Sequence, residues 1–302
     1  MNKKRKPLEL YVHIPFCIRK CAYCDFVSGP GTKAMQKEYE EALLAEIDAA
    51  EETAESEVIS AFFGGGTPSA VDAGMLARVM EKLRSKYVFS EDAEITLEAN
   101  PGTLDAEKLK CYRKGGFNRI SIGCQSVHDE ELKRLGRIHT FVEFQESFAL
   151  ARDAGFANIN VDLMSGLPEQ SEEKWEESLR TIAELSPEHI SAYSLIVEPG
   201  TPFAEQKLDL PDGPYRSLDD CMEQDFNLYK DQPLDSLLVR PNADSKMAKA
   251  ESVRYYFASV TGVDRAFGQI LDALKELGLD KNTIVVFSSD HGETMCSQHT
   301  DD

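Results

Sequence analysis

Cys17, Cys21 and Cys24 are the residues of this 302-residue chain whose type and spacing most directly imply chemistry. Three thiols in a CxxxCxxC pattern can wrap an iron–sulfur cube. The fourth iron then lacks a protein ligand and is open to coordinate a small molecule and pass it an electron. Zinc is the rival occupant, but a structural zinc site needs a fourth ligand. His13, four residues ahead of Cys17, is the candidate, although it sits on a strand rather than on the loop. Three free thiols is the remaining reading. Disulfides are not expected. The basic start Lys3-Lys4-Arg5-Lys6 leads into Leu8 to Phe16, which holds Glu9 and His13 and no small-residue cleavage site. No apolar run approaches a membrane span, so a cytoplasmic, reducing location is expected. Cys111 and Cys124 read as packing residues, and His128, His139 and His189 as structural ones.

The residues that could serve such a centre fall at the ends of short apolar runs. Gly64-Gly65-Gly66-Thr67-Pro68 follows one run and Glu98-Ala99-Asn100-Pro101 closes another. Gln125 lies just beyond a third, and Asp162 near the end of a fourth. The elements that must position them alternate. Strands are expected at Leu8 to Ile14, Val58 to Phe63, Glu94 to Ala99, Asn118 to Ile122, Asn158 to Leu163 and His189 to Leu195. Helices are expected at Met35 to Ala50, Asp72 to Lys86, Asp105 to Lys114, Val142 to Ala154 and Ser171 to Leu185. Asp72 and Asp105 would be N-caps, and Gly115 and Gly155 C-terminal stops. Strand and helix in alternation call for an α/β fold with a parallel sheet, whose loops after the strands gather function. Hydrophobic residues make up 42% of the chain, enough for a sizeable core. With 33 Lys plus Arg against 53 Asp plus Glu, the net charge of −20 repels phosphate backbones and excludes nucleic acid as the main partner.

The segment Tyr11-Val12-His13-Ile14-Pro15-Phe16-Cys17, with Cys21 and Cys24 after it, resembles the opening of the radical S-adenosylmethionine (SAM) enzymes. More narrowly, it resembles the branch containing oxygen-independent coproporphyrinogen III oxidase and the heme chaperone HemW. The likeness continues through the Gly64–Pro68 and Glu98–Pro101 segments, Arg119-Ile120-Ser121-Ile122-Gly123-Cys124-Gln125-Ser126 and Leu135-Gly136-Arg137-Ile138-His139. Asp162-Leu163-Met164-Ser165-Gly166-Leu167-Pro168 and Glu198-Pro199-Gly200-Thr201-Pro202 extend it to about residue 211. The resemblance implies a partial (βα)6 barrel in which Cys17, Cys21 and Cys24 hold a [4Fe–4S] cluster. Tyr11, Gly65, Gly66, Thr67, Glu98, Gln125, Arg137 and Asp162 match positions that line the family's SAM pocket. It implies one-electron reduction of SAM by an outside electron donor, giving methionine and a 5′-deoxyadenosyl radical, with heme as a further ligand. The oxidase carries another cysteine two residues after the third; Phe26 stands there, which favours the heme-chaperone side.

After Pro211 the pattern changes, giving two expected domains, 1–211 and 212–302. The second resembles the sulfatases of the alkaline phosphatase superfamily. The resemblance rests on Arg240-Pro241-Asn242-Ala243-Asp244, a long helix through Val263-Asp264 and Ile270-Leu271-Asp272-Ala273-Leu274, and Asn282 to Glu293. Tyr255, Tyr256, Val260, Val263, Phe267, Ile270, Leu271 and Leu274 recur at helical spacing, Gly278 ends that helix, and Thr283 to Ser289 reads as a buried strand. In sulfatases the matching Asp290 and His291 would help bind calcium. Calcium wants six or more oxygens, and the remaining ligands are missing here. The Cys/Ser-x-Pro/Ala-x-Arg nucleophile motif is also absent from residues 1–302, so this is read as an incomplete α/β fragment without sulfate-ester hydrolysis. The leading expectation is a radical SAM protein of the heme-chaperone type. A non-catalytic heme carrier and a sulfatase-type hydrolase are the alternatives.

Overall fold

The computed structural model describes residues 5–51, 55–206, 208 and 250–288. Two compact units divide the chain, Met1–Pro211 and Asp212–Asp302. The first is built on six parallel strands in sequential order, β1 (Lys6–Ile14), β2 (Ser56–Gly65), β3 (Phe89–Ala99), β4 (Arg119–Gln125), β5 (Asn158–Ser165) and β6 (His189–Ser194). β1 and β6 lie at the two ends of the order, so the sheet is an open half-barrel. The helices are α1 (Lys33–Ala49), α2 (Ala73–Lys86), α3 (Ala106–Gly115), α4 (Asp129–Arg134), α5 (Phe141–Asp153) and α6 (Glu172–Glu184).

Local chemistry explains the helix starts. Asp72 accepts from the Met75 N–H at 3.0 Å and Asp105 from the Lys108 N–H at 2.7 Å, each satisfying a donor that the first helical turn leaves free. Ser171 caps α6, and Thr140 with Glu143 forms a capping box on α5. The end of α3 differs from expectation by one residue: Gly116, not Gly115, takes the left-handed conformation, at φ 95°. α4 is an added element, six residues long, too short for periodicity to reveal.

The strands alternate with period two, and their two faces do different work. Ile95 and Leu97, Ile120 and Ile122, Ile159, Val161 and Leu163 point outward into a core closed by Leu76, Val79 and Met80 of α2, Leu109 and Tyr112 of α3, and Phe144 and Phe148 of α5. The other face carries Glu98, Ser121, Asn160 and Asp162, half-buried or buried polar residues on otherwise apolar strands. The inside of the half-barrel is therefore chemically a site, while the outside is a core.

The second unit has, among its described residues, one regular element, α7 (Ala250–Glu276). Gly278 ends it at φ 68°. The expected strand Thr283 to Ser289 does not form over the described residues 283–288, and Ile284, Val286 and Phe287 are exposed. An apolar run becomes a strand only where a neighbour takes its backbone hydrogen bonds, and the described part of this unit contains no other strand. Ser289, Asp290 and His291 lie outside the described residues.

Phe63, fully buried on β2 and edge-to-face with Phe117 at 4.9 Å between centroids, ties the sheet to the turn after α3. Replacing it with alanine is expected to cost about 3–5 kcal/mol, read as a fall in the urea midpoint with an unchanged m-value.

Candidate functional site

The cysteine loop leaves β1 and is pinched at its base, where Cys17 N–H donates to Gly29 O at 2.9 Å and Gly29 N–H to Pro15 O at 3.0 Å. Its middle is clamped on two sides. Ala22 N–H donates to Leu135 O at 3.0 Å, and Ala22 O accepts from Phe203 N–H at 3.1 Å. Arg19 reaches across to Gly136 O at 2.6 Å and Arg137 O at 3.0 Å. Gly136, at φ 74°, is needed there: a Cβ on it would lie 3.3 Å from Ala22 N. The Leu135-Gly136-Arg137 segment thus serves as a dock for the three thiols.

The glycine run closes the other side. Gly66 N–H donates to Ile14 O and Thr67 N–H to Phe16 O, at 2.9 and 2.8 Å. A Cβ on Gly66 would meet Phe16 O at 2.8 Å and Ile14 O at 2.9 Å, both backbone atoms that cannot yield cheaply. Thr67 Oγ1 donates to Cys17 Sγ at 3.6 Å and accepts from Asn100 Nδ2 at 2.8 Å. Arg137 binds Asn100 Oδ1 at 2.5 Å, Gly123 O at 2.6 Å and Cys21 Sγ at 3.7 Å. Burial works against its charge, but Tyr23 and the Cys21 thiol outweigh that and raise its pKa.

These groups surround a cavity of about 460 Å³. Cys17, Cys21, Cys24, Gly65, Gly66, Thr67, Glu98, Gln125, Arg137 and Asp162 all line it, so the structure brings these sequence-derived candidates together. Tyr11 is not in the lining: its ring stacks on Phe62 and its hydroxyl lies 3.2 Å from His13 Nδ1. Asn100, Tyr23, Ser121, Met164, Tyr193 and Ile196 line the cavity too, and none of them stands out as a site residue in the sequence. Strand parity was the available signal for two of them, because Ser121 and Met164 sit two positions from Gly123 and Asp162 and share their faces.

The walls differ in charge. Arg19, Lys20 and Arg137 stand on the cysteine side, and Glu98 and Asp162 on the β3–β5 side. Asp162 accepts from Asn160 Nδ2 at 2.6 Å and from Ser121 Oγ at 3.1 Å. Burial pushes Glu98 from an ordinary 4.5 to about 7, the Asp162 charge adds to the rise, and the Gly65 N–H at 3.1 Å offsets part of it. His139 is buried beside its bond to Cys124 O, and burial, with Arg137 nearby, lowers it to about 4.

Three observations bear on whether these residues fit an iron–sulfur cluster with SAM. Among the described residues no three His, Cys, Asp or Glu side chains converge on a single-ion site. A structural zinc takes four protein ligands; three thiols lining one cavity suit three corners of a cluster whose fourth iron is open. Both nitrogens of His13 are engaged, Nε2 with Val27 O at 3.1 Å and Nδ1 with Tyr11, so it is not placed as zinc's fourth ligand. Lastly, Gln125 Oε1 and Arg137 Nε are buried without partners. Gln125 is held at φ 70° besides. Orphaned polar atoms in a cavity wall call for a polar ligand, and a zwitterion with a cationic centre matches the charged walls. The residues fit the cluster and SAM.

The raised Glu98 carboxyl sets a pH dependence for the cofactor-free protein. Between its ordinary and its folded value the folded state holds a proton that the unfolded chain has lost, so stability falls as pH rises from about 4.5 to about 7 and is level above that. Glu98→Gln is expected to remove this loss. Urea midpoints at pH 5 and pH 8 should then lie closer together than in the unaltered protein.

Comparison with known proteins agrees with this geometry. The radical SAM superfamily profile matches residues 11–182, and the sulfatase profile matches residues 187–301. β6 lies inside the second match, yet it pairs with β5 in the first unit's sheet. The heme chaperone HemW of Haemophilus influenzae is 42% identical over 231 residues, covering 74% of this chain and 60% of the relative. An endo-4-O-sulfatase of Bacteroides thetaiotaomicron is 84% identical over 92 residues, covering 30% of this chain and 18% of the relative. The solved coproporphyrinogen III oxidase HemN of Escherichia coli superposes with a TM-score of 0.65 at 32% identity, covering 76% of this chain and 54% of that one. The chain spans about three fifths of the length of the heme chaperone that it matches. With its half-barrel, its cysteine loop and a profile match over more than half its length, this chain belongs to the radical SAM superfamily, on the HemW/HemN side, and carries a sulfatase-family match at its C-terminal end.

Proposed function

We propose that this protein binds a [4Fe–4S] cluster on Cys17, Cys21 and Cys24, binds and reductively cleaves SAM beside it, and serves heme or porphyrin metabolism as a heme-chaperone-like protein. The observation that carries the reading is the single cavity shared by the three thiols, two orphaned polar atoms and walls of opposite charge. When bound, the cluster and SAM would supply one-electron cleavage to methionine and a 5′-deoxyadenosyl radical.

The chain's own residues bind, orient and enclose. Gly65 and Gly66 must lack a Cβ, which would meet the His13 ring or the backbone of Ile14 and Phe16, so the glycine run can lie close against the cysteine loop beside the cavity. Arg137 offers its unpartnered Nε to a carboxylate, and Gln125 its free Oε1 to an amine or hydroxyl. Glu98, partly protonated when the site is empty, ionises beside a cationic sulfonium or ammonium, which reverses the penalty of its burial. Asp162, steadied by Asn160 and Ser121, accepts from ribose hydroxyls. Tyr23 and Met164 supply apolar surface that limits water. Tyr11 is assigned to the same pocket by family position alone.

Phe26, where the oxidase branch has a further cysteine, favours the chaperone side, as does the likeness to HemW. Heme, a donor of single electrons and a cytoplasmic setting belong to this proposal. Among the described residues no helix is long and apolar enough to cross a membrane. For residues 212–302 no sulfatase activity is proposed, since residues 1–302 carry no Cys/Ser-x-Pro/Ala-x-Arg nucleophile motif.

The test is anaerobic loading with iron and sulfide, then dithionite and SAM, with 5′-deoxyadenosine measured by chromatography. The unaltered protein should form it. Cys21→Ala should lose it entirely, and Asp162→Asn should raise the SAM concentration needed by about 10- to 100-fold, the worth of a charged hydrogen bond. Tight heme binding, seen as a Soret shift, without any 5′-deoxyadenosine would replace this reading with that of a heme carrier.

A further inference from the structure

Strand β4 carries one residue too many near its end. Ile122 pairs with Val161 and Gly123 with Asp162, yet the next match is Gln125 with Leu163, so Cys124 is an extra residue in the ladder. A bulge of this kind re-aims the side chain beside it. Gln125 is held at φ 70°, a conformation that residues with a Cβ rarely adopt and keep only where their surroundings enforce it. Its amide lies over Gly123, where a Cβ would fall 2.9 Å from Gln125 Nε2. Gln125 lines the cavity, and its Oε1 is buried without a partner.

A bulge disrupts the ladder, so its buried carbonyls need other donors. Arg137 Nη2 donates to Gly123 O at 2.6 Å, and His139 Nε2 lies 3.3 Å from Cys124 O. Two consecutive carbonyls of the bulge are thus held by two side chains of one short segment. That segment is itself anchored, because Thr140 directly after it caps α5. A carbonyl can only accept, so Nε2 carries the imidazole proton and Nδ1 is bare; Nδ1 is buried with no partner. His139 is 4% exposed and lies outside the cavity lining, so any effect it has on a ligand must pass through another residue.

We propose that His139 is a positioning residue: by holding Cys124 O it keeps the bulge in place and Gln125 Oε1 set to accept from SAM. The inference rests on SAM as the occupant of the cavity.

Equilibrium dialysis of labelled SAM against the anaerobically reconstituted full chain tests it as a double-mutant cycle. Gln125→Ala should weaken SAM binding by about 10-fold, the worth of one good hydrogen bond. His139→Phe keeps a ring without its donor and should weaken binding by a similar factor. Added to Gln125→Ala, it should cost no more than about twofold further, because the group it aims is gone. A residue that only supports the fold would cost the same factor in both backgrounds. In the cofactor-free full chain, hydrogen exchange across residues 123–126 should quicken in His139→Phe. If His139→Phe does not fold, His139→Gln, whose amide can still donate, carries the same cycle and the same expected non-additivity. Factors that multiply in the double variant, unchanged SAM binding in His139→Phe or unchanged exchange each overturn the positioning role and leave SAM as the ligand. An unaltered protein that binds no SAM overturns the reading beneath it, and the inference with it.

Discussion

A buried guanidinium must find its hydrogen-bond partners inside the protein, and in doing so it fixes whatever supplies them. Arg137 spends its donors on Asn100 at the end of β3, on the backbone of Gly123 in β4 and on the thiol of Cys21. Two strands and the cysteine loop are thereby held to one point. Neighbouring contacts follow from that placement: Asn100 orients Thr67, Thr67 reaches Cys17, and Gly136 must lack a side chain so that Ala22 can lie against it. Arg137 Nε is buried with no hydrogen-bond partner.

The half-barrel is what allows so many polar groups to converge without dissolving the core. Parallel strands in sequential order place all six C-terminal ends along one rim, and alternation sends apolar residues to the helices and polar ones to the inside. Burial then raises the carboxyl of Glu98, while hydrogen bonds from Asn160 and Ser121 moderate the same effect on Asp162. Two carboxyls a strand apart are thus held differently, one near neutrality and one better solvated by protein donors.

Much of this was legible in the residues because the constraints are local or tied to side-chain type. Asp72 and Asp105 announce helix starts through capping, and the spacing of Cys17, Cys21 and Cys24 announces a ligand-type loop, which the structure places on the cavity wall. The cavity members Asn100 and Ser121 were hidden in plain motifs, since only strand parity distinguishes the residue that faces the site from the one beside it. Tyr11 stands on the strand that leads to the loop, two residues short of His13, and spacing alone does not tell how far along a strand a cavity extends. Thr283 to Ser288 failed as a strand for the opposite reason: β-branched runs state a preference for pairing, and pairing requires a neighbour that sequence composition does not guarantee.

The central claim is that the thiol loop carries a cluster with one iron open to SAM. Electron paramagnetic resonance of the anaerobically reconstituted, reduced protein, recorded with and without SAM, addresses it most directly. A reduced [4Fe–4S] signal that changes when SAM is added, and is absent in Cys21→Ala, is the predicted result. A cluster signal indifferent to SAM, or no cluster at all in the unaltered protein, would contradict the account.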